Sequence, residues 1–104
     1  MNAETLKGHL DALVLATLAD GAAHGYAVIE ELKRRSGGAF DLAEGTVYPV
    51  LHRLEAEGLL ASAWTQGGGR RRRVYRLTRR GRTSLAGRRR DWQTFVHAVE
   101  AVFA

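Results

Sequence analysis

The sequence predicts a mainly α fold with one small β-hairpin, and three observations carry that expectation. Apolar residues recur at intervals of three and four through the first 58 residues, punctuated by short turns. The period then changes to two on either side of a glycine-rich centre, "QGGGR". Beyond Thr78 the helical period returns and runs towards the last residue. A chain of 104 residues, 45% of them apolar, can bury one small core, so one folding unit is expected.

In "TLKGHLDALVLATLAD", Leu6, Leu10, Leu13, Val14 and Leu18 mark a first helix ending near Asp20 and Gly21. "HGYAVIEELKRRSGG" reads as a second, with Tyr26, Ile29 and Leu32 on one face, acids before bases, and two Gly as its stop. His24 either starts this helix or packs locally. The third is "EGTVYPVLHRLEAEGLL", with Val47, Leu51 and Leu54 on one stripe and Gly58 as its stop. Pro49 in its second turn forfeits a backbone hydrogen bond, so a slightly bent start is expected. In "LLASAWTQGGGRRRRVYRLT", Leu60, Ser62 and Trp64 alternate with Ala61, Ala63 and Thr65, and Tyr75 and Leu77 alternate with Val74 and Arg76. That is a hairpin over about 60–77. Thr78 is placed to cap a last helix, with Gly81 standing where a capping box would have Glu or Gln. Three helices, a hairpin and a long helix make a winged helix-turn-helix, residues 1–77, followed by an extension, 78–104.

Composition removes whole classes of function. With no Cys, disulfides, thiolate metal sites and a thiol nucleophile are excluded. No apolar run is long enough to cross a bilayer, and "MNAETLKGHL" lacks the features of a secretory signal, so the cytoplasm is the expected location. The four His are dispersed without metal-ligand spacing, "GGGR" lacks the rest of a phosphate-binding loop, and no Ser has a neighbouring His and acid. Neither an active site, a metal nor a cofactor is expected. Charge is the informative property. Residues 1–65 hold five basic and nine acidic side chains, a net of −4, whereas residues 66–104 hold eleven Arg against Asp91 and Glu100, a net of +9. Guanidinium forks match phosphate oxygens, which makes nucleic acid the first partner to consider beside a merely solvated Arg-rich surface.

If Val47, Leu51 and Leu54 face the core, Thr46, Tyr48, Pro49, His52 and Arg53 lie on or near the outer side. The N-terminal half of the second helix of a helix-turn-helix enters the major groove. Packing of Tyr48 on the hairpin and simple solvation of His52 are the alternatives. Arg70 to Arg73 follow three Gly, so at least one of Arg70 and Arg71 is expected to touch phosphate or the minor groove, while alternation turns Arg72 or Arg73 along the sheet. In the last helix Leu85, Trp92 and Val99 recur every seven residues beside Phe95, Val96, Val102 and Phe103. This stripe exceeds what so small a domain can cover, so a two-fold pair is expected, each last helix packing on its mate and on the first helix around Leu10 and Val14. Trp92 and Phe95 would either enclose a flat apolar ligand there or form plain interface core.

The pieces "HGYAVIEEL", "GTVYPVLHRLEAEGLL" and "RRVYRLTRRG", in that order, closely resemble the PadR family of bacterial winged-helix transcriptional regulators, over nearly the whole chain. The length is similar to that of smaller members with a single C-terminal dimerisation helix. The resemblance implies a dimeric repressor of double-stranded DNA, often released by a small aromatic or hydrophobic effector. Carried over by motif, Tyr48 with Gly45, Thr46 and Pro49 contacts DNA, Tyr26 lies near phosphate, and the hairpin Arg residues lie beside the minor groove. Ala43 stands where many relatives have a capping Ser, so the helix start is expected to fray, which bears on base contacts of Glu44 and Thr46. A non-specific DNA- or RNA-binding protein and a protein-interaction adaptor remain the rival readings.

Overall fold

Gly8 decides where the first helix begins. Its φ of 86° is a left-handed conformation that interrupts a right-handed helix, so in the computed structural model, which describes residues 6–104, α1 spans only Leu10–Leu18. The helix expected from Thr5 therefore starts later, and Thr5 itself lies outside the described residues. Leu6 is nevertheless buried before the turn. The remaining elements are β1 (Ala23–His24), α2 (Gly25–Arg35), α3 (Glu44–Ala56), β2 (Leu60–Gly67), β3 (Arg70–Leu77) and α4 (Arg79–Phe103).

The helical stripes close one core. Val14, Leu15 and Leu18 of α1, Val28 of α2, Val47, Leu51 and Leu54 of α3 and Leu60 of β2 are all fully buried, with Tyr75, Leu77 and Leu85 beside them. Two residues expected at a dimer face thus belong to the protomer's own interior. Val14 and Leu85 are 0% and 4% exposed, and neither can meet a second chain. Tyr26 also departs from expectation. The buried line of α2 runs through Gly25, Val28, Ile29 and Leu32, and Tyr26 lies roughly a third of a turn away from it, 54% exposed.

The sheet has three strands in the order β1-β3-β2, all antiparallel. Leu60 pairs with Leu77 at the core end and Gly67 with Arg70 at the tip, joined by Gly68 and Gly69 with φ of 59° and 78°. Two successive positive φ values are what a type I′ hairpin turn demands. β1, which pairs Ala23 with Tyr75 and His24 with Val74, was not anticipated. It ties the start of α2 to the hairpin.

Thr78 caps α4: its Oγ1 accepts from the Gly81 N–H at 3.0 Å and donates to the Gly58 carbonyl at 2.7 Å. Gly81 replaces the capping-box acid for a steric reason. A Cβ there would overlap the Leu59 carbonyl oxygen, so α4 approaches the end of α3 as closely as a backbone permits. Among the described residues no helix is long and apolar enough to cross a membrane.

Candidate nucleic-acid interface

The first turn of α2, the outer face of α3 and the hairpin enclose an open cleft of about 590 Å³. Of the residues expected to contact DNA, Tyr26, Glu44, Tyr48, His52, Arg70, Arg71 and Arg72 all line it. Gly45 and Pro49 are exposed on the first turns of α3, with Thr46 half-buried between them.

Tyr48 is half-buried rather than turned wholly away from the core. Its ring lies over the α-carbon of Gly25, where a Cβ would stand 2.9 Å from Cδ1 and closer still to Cε1. It therefore packs on α2, and it also lies close enough to Tyr75 of the hairpin for the two phenols to interact. Burial, and secondarily the Glu44 carboxylate, push its phenol pKa up, so the hydroxyl stays protonated and able to donate.

Arg53 does not belong to this face. One position beyond His52 it turns towards α1, where its guanidinium donates to Asp11 Oδ1 at 2.6 Å and Oδ2 at 2.9 Å, and to Glu57 at 3.2 Å. The hydrogen bond from Arg53 holds the Asp11 carboxyl below its ordinary pKa, against the opposing effect of burial. Arg88 of α4 approaches the same carboxylate at 3.9 Å. Asp11 thus sits between α3 and α4, and assigning Arg53 to DNA is corrected by a pairing 42 residues apart in the chain.

Four residues that the sequence does not mark for this face also line the cleft: His24, Gly25, Trp64 and Tyr75. His24 is the N-cap of α2, Nδ1 accepting from the Ala27 N–H at 3.2 Å. Nε2 lies 2.9 Å from the Arg72 guanidinium. A neutral imidazole that accepts at Nδ1 carries its proton at Nε2, so this approach sets two donors against each other and does not tie Arg72 down. Burial, reinforced by Arg72, holds the His24 pKa down and keeps the ring neutral.

Trp64, on β2, is 55% exposed and takes the Arg71 guanidinium over its ring at 4.7 Å and that of Arg73 at 5.2 Å. Arg73 is further held by the Ser62 hydroxyl at 2.8 Å and by Glu55 at 3.7 Å, while that hydroxyl donates to Glu55. Arg73 is thus the arginine turned along the sheet. Arg70, Arg71 and Arg72 enter no ion pair among the described residues. Three uncompensated guanidinium groups beside the exposed start of α3 form a surface suited to a polyanion.

A second surface lies on the far half of α4. Trp92, Phe95, Val102 and Phe103 are 50% to 83% exposed, and Val96 and Val99 are half-buried. The Trp92 ring meets His9 edge-on at 5.2 Å and Phe95 at 5.9 Å. Leu10 of α1 is half-buried. Among the described residues no three His, Asp or Glu are grouped to hold a metal ion.

Comparison with known proteins places this geometry. The family model described as "Transcriptional regulator PadR-like family" matches residues 14–87. The transcriptional regulator Rv3488 of Mycobacterium tuberculosis (strain ATCC 25618 / H37Rv) is 46% identical over 86 residues, covering 83% of this chain and 78% of its own. The crystal structure of a PadR family transcriptional regulator from Eggerthella lenta DSM 2243 superposes with a TM-score of 0.84 at 34% identity, covering 96% of this chain and 86% of that one. A transcriptional regulator from Clostridium thermocellum, at 22% identity, shares the fold with a TM-score of 0.88 over 95% of this chain and 97% of its own.

Proposed function

Because the chain belongs to the PadR-like family of transcriptional regulators, we propose that it is a sequence-specific DNA-binding repressor that works in the cytoplasm as a homodimer on an inverted-repeat operator. The observation that carries this reading is the cleft, in which Arg70, Arg71 and Arg72, in no ion pair among the described residues, stand beside the exposed first turns of α3. On this reading residues 1–77 form the DNA-binding part. The start of α3 enters the major groove, Tyr48 and Tyr26 donate to phosphate, His52 faces the groove, and the hairpin arginines follow the backbone towards the adjacent minor groove. Gly45, Thr46 and Pro49 bring the helix start close to the duplex. Residues 78–104 form the dimerisation helix.

The dimer reading is supported by exposed aromatic and branched side chains on one stretch of α4: Trp92, Phe95, Val96, Val99, Val102 and Phe103. A continuous apolar face of this kind, on a domain whose own core is already closed, favours a contact with another surface, and a two-fold pair is the simplest closed way to cover it. Leu10 joins this face from α1. Trp92 and Phe95 with their mates would bound a small aromatic or hydrophobic effector that releases the DNA.

The test is a titration of duplex DNA from upstream of the protein's own gene, alongside sedimentation of wild type and Val99→Asp. Wild type is expected to be a dimer that protects an inverted repeat. The charge at position 99 should leave a folded monomer whose affinity is lower by orders of magnitude, because an unpaired carboxylate is costly to bury. A wild-type monomer at micromolar concentration, or normal operator binding by the variant, would overturn the dimer. Equal affinity for random and upstream DNA would overturn sequence specificity.

A further inference from the structure

Among the described residues Glu44 is the only acid that lines the cleft, and Arg70, Arg71, Arg72 and Arg73 line it too. Arginines in this protein find carboxylates readily: Arg53 pairs with Asp11, Arg34 and Arg35 with Glu31, and, of the cleft's own four, Arg73 with Glu55. Glu44 takes part in no ion pair among the described residues and is exposed on the first turn of α3. In the free protein the partial positive charge of the helix start favours it, the more so because Ala43 offers no side-chain cap. On DNA that arrangement changes meaning. A phosphate brought to this point would meet a like charge, so whatever part of the duplex approaches Glu44 must present hydrogen-bond donors.

Resting on the proposed function, this narrows the partner of Glu44 to a base edge. In the major groove only the exocyclic amino groups of cytosine and adenine donate. Adenine N6 lies beside the acceptor N7, which opposes the second carboxylate oxygen, whereas cytosine shows no acceptor on its own edge of the groove. We infer that Glu44 is a specificity-determining residue that accepts a hydrogen bond from cytosine N4 in each half-site, and that it lowers affinity for every duplex lacking cytosine there. The carboxylate would be the discriminating group in a surface otherwise built to attract any nucleic acid.

Selection from a pool of duplexes with a randomised centre, using the full-length protein, tests this directly. Wild type should retain duplexes with a cytosine at one fixed position in each half-site, and replacing that base pair should weaken binding by about tenfold or more. Glu44→Ala should lose the preference at that position alone and should hold random DNA more tightly than wild type. Glu44→Gln should move the preference to adenine, because a carboxamide can both accept from N6 and donate to N7. The same selected site for wild type and Glu44→Ala, or a Glu44-dependent position that wild type fills with an A·T pair in place of a C·G pair, overturns the inference while leaving the proposed function standing. If wild type retains no sequence at all, sequence specificity itself fails and the role of Glu44 fails with it.

Discussion

Gly25 occupies the first position of α2, where alanine would ordinarily be the better helix former by up to about 1 kcal/mol. Intrinsic propensity therefore expects Gly25→Ala to stabilise. The packing expects the opposite. A Cβ at this position would stand 2.9 Å from Tyr48 Cδ1, 3.1 Å from Cζ and far inside the van der Waals contact distance of Cε1. The ring must then move by about 1 Å or swing out, because carbon atoms rest roughly 3.5–4.0 Å apart. Because Tyr48 is only half-buried it can swing, which keeps the cost at the low end for overpacking, a net loss of about 1 kcal/mol by urea unfolding. The swing displaces the one phenol placed over the start of α2, so operator affinity should fall further than stability does. A double-mutant cycle isolates the contact: in a Tyr48→Ala background the same glycine change should become neutral or stabilising. A Gly25→Ala protein at least as stable as wild type, or identical effects in both backgrounds, would refute this account of Tyr48.

Other outcomes follow from the same contacts. Gly81→Ala drives a Cβ against the Leu59 carbonyl, which as backbone cannot swing aside, so it should cost about 3 kcal/mol, clearly more than Gly25→Ala; thermal unfolding decides. The folded pKa of Asp11 lies below its ordinary 3.8, so its pairing with Arg53 contributes stability that is fully present above that value and is lost as pH falls through the lower folded one. Asp11→Asn should therefore cost about 1 kcal/mol at neutral pH, held down because Arg53 is half in solvent, and should converge on wild type in acid; parallel stability curves below pH 4 would contradict it. Changing Arg70 and Arg71 together to Ala should weaken specific and random DNA alike and reduce the slope of log affinity against log salt by roughly one unit per lost phosphate contact, whereas an unchanged slope would mark them as solvated.

What the sequence revealed followed from local rules. The periods of α3 and the hairpin, the Thr78 cap and the Gly58 stop are all set within a few residues, and each is where its pattern put it. What escaped depends on partners distant in the chain. Arg53 reads as an outward cation until Asp11, 42 residues earlier, is beside it. Val14 and Leu85 fit an apolar stripe equally well whether its cover is the same chain or another, and only the packed core decides for the former. β1 is two residues long, too short to show any alternation. Trp64 became part of the cleft once strand register set it opposite Arg73, a relation between positions that no single segment displays.

The joint at the root of α4 has a mechanical consequence. Thr78 is bonded to the carbonyl of Gly58, the residue that ends the α3 turn, and Gly81 rests on Leu59, so the long helix is clamped there with no hinge between them. A helix of 25 residues is a beam about 37 Å long, and tilting it by five degrees carries its far end about 3 Å. Run in reverse, two such beams locked together at their apolar ends would fix the separation and pitch of the two cleft-bearing bodies through their clamped roots. In the proposed dimer, the distance between operator half-sites would then be gauged at Thr78 and Gly81, far from any base, and loosening that clamp would make the protein indifferent to spacing before it became indifferent to sequence.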